Sequence, residues 1–244
     1  MAVNYTQDYF DLQHALDVIW GTYEDKVSVE QKEKDLLKFG THSAVGTSWE
    51  TMAEMQDSET EETFVTDNDV TYVVSTAEAD AGKTLNLEYH IRNADGTTTF
   101  GVQPVTLDAT DGRTPVALAT PAYRTNRAYN TGNTLLTGAI AFYEGGAVTA
   151  GKPNNDDQVH LLIPAGEQQT QKAATTISAQ DYWIITNISL SVLSKTSAYA
   201  EARLEVKPVA SAVWRPATQN IACKDSSGTV QIKKKPFIIV PANY

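Results

Sequence analysis

The residues with the right type and spacing for chemistry are few, and each has a plain structural use. Gly82-Lys83-Thr84 has the letters that close a phosphate-binding loop, where backbone amides and a lysine cradle phosphate. That loop needs a glycine where this chain has Ala77, and a helix where TLNLEYHI reads as a strand. Lys83 is therefore expected to be a turn lysine. The histidines are His14, His42, His90 and His160, and no two are spaced as HxH or HxxxH. A metal site would have to be assembled from distant segments, so none is expected. His90 reads as a strand residue on a polar face or with its bonds satisfied. No G-x-S-x-G elbow is present, and no serine stands in a nucleophile setting.

Carboxylates cluster at Asp67-Asn68-Asp69, at Asp108 with Asp111, and at Asn154-Asn155-Asp156-Asp157. These are oxygen ligands of the kind Ca²⁺ takes, but none matches the EF-hand loop with its closing glutamate. Asp and Asn are also what turns use, through bonds to their own backbone, and that is the expectation here. Glu201 and Glu205 would be the pair for glycoside hydrolysis. They share a polar stripe with Arg203, as on a solvated sheet face. Lys233-Lys234-Lys235 beside Pro236 reads as a guard on an apolar edge strand. Tyr123, Tyr129, Tyr143 and Trp214 are the candidate aromatic platform for a glycan. No catalytic residue, cofactor or metal is expected.

Composition narrows the classes further. The chain has 244 residues, 20% charged side chains and a net charge of -11, enough length for a sizeable core. Its acidity argues against wrapping nucleic acid. A single cysteine, Cys223, excludes an internal disulfide and reads as a small side chain in a late strand or loop. The first residues lack the basic and apolar regions of a signal peptide, and no run of about 18 apolar residues occurs, so no membrane contact is expected.

The elements that must position these residues divide the chain at about residue 63. Asp8–Trp20 fits a short helix stopped by Gly21. A second helix has Ser28 as N-cap, Gln31 three residues on, and Gly40 after Phe39. Its body is mostly charged, so it needs something to dock on. Trp49 lies in a polar segment and reads as a plug for an apolar site, and EMQDSETEET reads as a solvated acidic loop.

From Phe64 the period becomes two. Val70, Tyr72 and Val74 alternate, then Leu85, Leu87, Tyr89 and Ile91. Asn93–Gly96 predicts a tight turn and a hairpin into TTTFGVQPVTL. Pro104, Pro115 and Pro121 place their strands at edges or ends. RTNRAYNTGN reads as a turn-rich bend, TLLTGAIAFYE as a strand, and residues 144–157 as a long loop or hinge. Tyr182–Val206 reads as a central hairpin, turning at Leu193–Ser197. The apolar PFIIVPANY is either a last edge strand or a chain that continues. Turn signals recur about every 8–12 residues, as in a sandwich or jelly roll. The expected fold is all-β: two small β-sandwich or jelly-roll units at 64–150 and 151–244, after a short, mainly helical arm at 1–63.

Three segments together resemble a known family. Lys38-Phe39-Gly40 with Val45-Gly46-Thr47-Ser48-Trp49-Glu50, then LDATDGRTPVALATPAYRTNRAYN at 107–130, then Ile163-Pro164-Ala165-Gly166, resemble segments of virion structural proteins of tailed bacteriophages, marine ones among them. The agreement runs in order over residues 38–166, and its motifs carry no catalytic role. The family would place one more strand after the Pro-rich end. The resemblance implies a non-enzymatic particle component made in the bacterial cytoplasm: a neck, tail or fibre-attachment protein, or a capsid decoration protein. Its partners would be other virion proteins and copies of itself as a homotrimer. Val29, Leu36, Leu37, Phe39 and Trp49 would contact the neighbouring virion proteins. A receptor- or glycan-binding fibre module is the alternative.

Overall fold

The computed structural model describes residues 64–170, 172–177, 183–191, 199–207, 215–217, 221–224 and 229–240. All belong to one compact unit, Lys38–Tyr244. The helices expected before residue 60 lie outside the described residues, as do Val29, Leu36, Leu37, Phe39, Trp49 and Trp214. What is described is all-β, with two short 3-10 turns at Glu78–Asp80 and Asp156–Gln158.

Alternation sets the first strands. β1 (Val70–Ser75), β2 (Thr84–Arg92), β3 (Thr98–Thr106), β4 (Val116–Ala122), β5 (Arg124–Asn130) and β6 (Ile140–Tyr143) follow in order. The small pair β7 (Val148–Thr149) and β8 (Lys152–Pro153) precedes β9 (Val159–Ile163). Two antiparallel sheets result, one ordered β4-β1-β6-β9 and the other β3-β2-β5. Their inward rows share one core. Val73, Ile140, Phe142, Leu161 and Ile163 come from the first sheet, and Leu85, Leu87, Tyr89, Val105 and Ala128 from the second.

The Asn93–Gly96 turn forms as expected, with Arg92 opposite Thr98 and Gly96 at φ +83°. Pro104 and Pro121 stand on β3 and β4, which are edge strands of their sheets. The Gln103 side chain ties these two edges together. It donates to Thr120 O at 2.8 Å and accepts from Thr120 N at 3.0 Å, so an amide completes pairing the strands do not make.

Several expectations are corrected. RTNRAYN is a strand, not a bend: β5 pairs with β2, and the chain passes from one sheet to the other at Tyr123. Its alternation is hidden by a bulge at Asn126, which breaks the register between Glu88 and Tyr89. Residues 144–157 hold the β7–β8 hairpin, whose central residues Ala150 and Gly151 both have positive φ (50° and 78°). That is the type I′ pattern, matched to strand twist. Beyond it, β9 pairs with β6, so the four-stranded sheet runs across the boundary expected at 150/151. The turn at Pro164–Glu167 does not open a second unit either. It returns the chain along β5, where Asn130 N donates to Gln168 O and Thr170 N to Ala128 O.

The expected central hairpin is also corrected. Strands occur at β10 (Trp183–Ser191), β11 (Tyr199–Ala202) and β12 (Glu205–Val206), but β10 and β11 do not pair with each other. After β13 (Arg215–Pro216) come β14 (Ile221–Lys224) and β15 (Thr229–Val240). β10 pairs with β15, β11 with β14, and β12 with β13. Ile184 stands opposite Ile239, Ile188 opposite Ile232 and Leu190 opposite Val230. The 12-residue β15 gives β10 a longer backbone ladder than the 4-residue β11 offers.

Candidate functional site

Most chemistry-bearing side chains of the two stacked sheets are spent on the fold. Asp80 is fully buried and accepts from Ser75 Oγ at 2.6 Å, Lys83 Nζ at 2.7 Å, Thr137 Oγ1 at 2.7 Å, and the amides of Thr137 and Gly138 at 2.9 Å. Burial pushes its carboxyl up. The bonds from Lys83, Ser75, Thr137 and Gly138 outweigh that and hold it well below the usual carboxylate range. Lys83, the residue with the phosphate-loop letters, is thus the ion partner of Asp80 beside the 3-10 turn.

The acidic clusters make turns. Asp108 Oδ1 accepts from Thr110 N, Thr110 Oγ1 and Asp111 N, and these bonds, the Thr110 hydroxyl first, lower its carboxyl. Asp111 pairs with Arg113 at 3.0 Å, and Asn155 caps the second 3-10 turn through Asp157 N. Asn68 bonds both N and O of Arg92. Among the described residues no group of three or more His, Cys, Asp or Glu is placed to hold a metal ion.

His90 and His160 are both buried. His90 Nδ1 lies 2.9 Å from Asn126 Nδ2, and its ring meets Phe100 edge-on. His160 Nε2 lies 2.9 Å from Glu144 Oε1, and the buried Lys172 Nζ donates to Thr125 O at 2.9 Å. Glu201 and Glu205 sit on different strands, β11 and β12, and Glu205 is paired with Arg203 at 2.6 Å. Cys223 lies in β14, opposite Ala200.

The candidate aromatic platform does not assemble from the expected residues. Tyr123 is 3% exposed and Tyr143 1%, so neither offers a ring face to a ligand in solvent. Tyr123 is instead stacked by Arg124 at 3.6 Å, and Arg124 Nη1 donates to Val65 O and Tyr123 O. Burial, then the neighbour Tyr72, pushes the Tyr143 phenol up. Among the described candidates, Tyr129, half-buried on β5, reaches a surface.

That surface is the outer face of the three-stranded sheet. Pairing puts Phe100 beside His90, Val102 beside Glu88 and then Arg127, and Pro104 beside Asn86 and then Tyr129. Phe100 and Val102 are each 48% exposed and Pro104 is exposed, so β3 carries an apolar strip. The two strands beside it carry a polar strip whose members fix one another. Asn86 Nδ2 donates to Tyr129 Oη at 3.2 Å, Arg127 lies 3.8 Å from Glu88 and 4.8 Å from the Tyr129 ring, and Arg127 Nη2 donates to Gln169 at 2.7 Å.

Sequence reasoning missed Phe100, Val102, Asn86, Glu88 and Arg127. A signal was present. In TTTFGVQPVTL, Phe100 and Val102 have the parity opposite to Val105, so β3 carries apolar residues on both faces. Compared with known proteins, the chain matches no family model, no curated protein and no solved structure.

Proposed function

We propose that this chain is a non-enzymatic structural subunit of a tailed-phage particle, a neck, tail or fibre-attachment component. Its β body is read as sandwich-like, with two sheets of β1 to β9 packed on one core. The arm at residues 1–63, through Val29, Leu36, Leu37, Phe39 and Trp49, would dock it on neighbouring virion proteins. A homotrimer is the proposed assembly.

One observation carries the reading. The segments that resemble virion proteins fall on positions that build the fold. LDATDGRTPVALATPAYRTNRAYN runs through β4, the crossing at Tyr123 and β5, and Pro164–Gly166 is the turn after β9. The buried Asp80, His90, Arg124, Asn126 and His160 bond to groups of their own fold.

The test of the arm is deletion of residues 1–50. The shortened chain should keep the β circular-dichroism spectrum and a cooperative melt, yet be absent from purified particles. Normal incorporation of the shortened chain would refute docking through the arm.

A further inference from the structure

We propose that the outer face of β3, β2 and β5 binds a neutral oligosaccharide of about two or three rings, a length set by the sheet dimensions. The strip of Phe100, Val102 and Pro104 supplies an apolar surface for the C–H face of a sugar ring. Beside it, Asn86, Glu88, Arg127 and Tyr129 supply the planar donors and acceptors that hydroxyl pairs need.

Size decides against a protein occupant. A stable protein interface takes about 800 Å² from each partner. Among the described residues, the open part of this face is three strands across only from Val102 to Thr106, because His90 and Asn126 near Phe100 are buried, an area on the order of 200 Å² at ordinary strand spacing. That is too small to hold a second copy and large enough for a short glycan.

Charge selects the class of sugar. Glu88 and Arg127 offset each other on the face, while the whole chain carries a net charge of -11. The described residues of the face carry no excess cation to attract an acidic sugar, and the distant field repels one. A neutral glycan meets neither penalty. The polar strip is also held in place before a ligand arrives, by Asn86 on Tyr129 and by Gln169 on Arg127. Little side-chain freedom is then lost on binding.

The test uses the full chain and saturation-transfer NMR with four neutral trisaccharides: α-linked and β-linked glucose, N-acetylglucosamine and mannose. Transfer to at least one is expected, with a dissociation constant on the order of 1 mM, as suits a small open face. Phe100→Ala and Asn86→Ala should each weaken it at least tenfold. Leu135→Ala, at an exposed residue outside the three strands of the face, should leave it unchanged, and circular dichroism checks that each variant is folded. Three results would overturn the proposal: no transfer from any probe, binding that survives both face variants, or concentration-dependent self-association abolished by Phe100→Ala. The inference does not rest on the particle reading, which particle composition tests separately.

Discussion

Asp80 shows what a carboxylate does in this molecule. It joins the end of β1, the first 3-10 turn and the loop before β6 through one buried group. Asp80→Asn would leave the Lys83 ammonium without its anion and turn an amide N–H donor toward groups that donate to the native carboxylate. The expected loss is on the order of 3 kcal/mol, read from urea midpoints at pH 7. The pH dependence has a defined sign. The folded carboxyl lies below its unfolded value, so its contribution is complete above the unfolded pKa and is lost as pH falls toward the folded one. The difference between the native chain and Asp80→Asn should be constant from pH 7 to 5. Below about pH 4 it should shrink by roughly 1.4 kcal/mol per unit. A constant difference down to pH 3 would contradict the role. None of this was legible beforehand. In AEADAGK the lysine and glycine draw notice rather than Asp80, and its partners Thr137 and Gly138 are far along the chain. Tyr123 and Tyr143 misled for a related reason. Tyrosine type fits both a platform and a core, and only the strand crossing at Tyr123 and the packing of Tyr143 with Val74, Ala141 and Val159 decide between them.

At the scale of elements, legibility followed local signals. The β2–β3 hairpin was readable because Asn93–Gly96 fixes its turn and alternation fixes its faces. β5 was not, because the bulge at Asn126 shifts its period and buries polar Thr125 and Asn126. The pairing of β10 with β15 was not, because partners distant in sequence carry no turn signal between them. The β7–β8 hairpin offers a direct test. At Gly151 a Cβ would lie 1.9 Å from Ser75 O, with φ at +78°. The turn presses against the end of β1, and no L side chain fits there. Gly151→Ala should therefore cost about 3 kcal/mol or more. Gly96→Ala, at φ +83° with open space around it, should cost only about 1 kcal/mol from backbone strain. Thermal melts of the two variants check the contrast, and equal losses would refute the close docking of the hairpin.

At the scale of the whole molecule, an all-β body was legible from composition, turn spacing and alternation, whereas its division was not. The expected boundary at 150/151 ignored β9, whose VHLLI run supplies the outer strand of the first sheet. A Gly- and Asn-rich stretch suggests a hinge, yet here it folds into a hairpin between two strands of one sheet. Of the described residues expected for an aromatic platform, Tyr129 lies on the candidate face, whereas Tyr123 and Tyr143 are buried. The particle assignment draws on the in-order resemblance of residues 38–166 and on the structural use of those segments. The most direct test of that proposal is the copy number of this chain in purified phage particles from its source, by quantitative mass spectrometry against the major capsid protein. The proposed role as a neck, tail or fibre component predicts a few to some tens of copies per particle. Hundreds would instead identify a capsid decoration protein, and complete absence would contradict the role as a virion subunit.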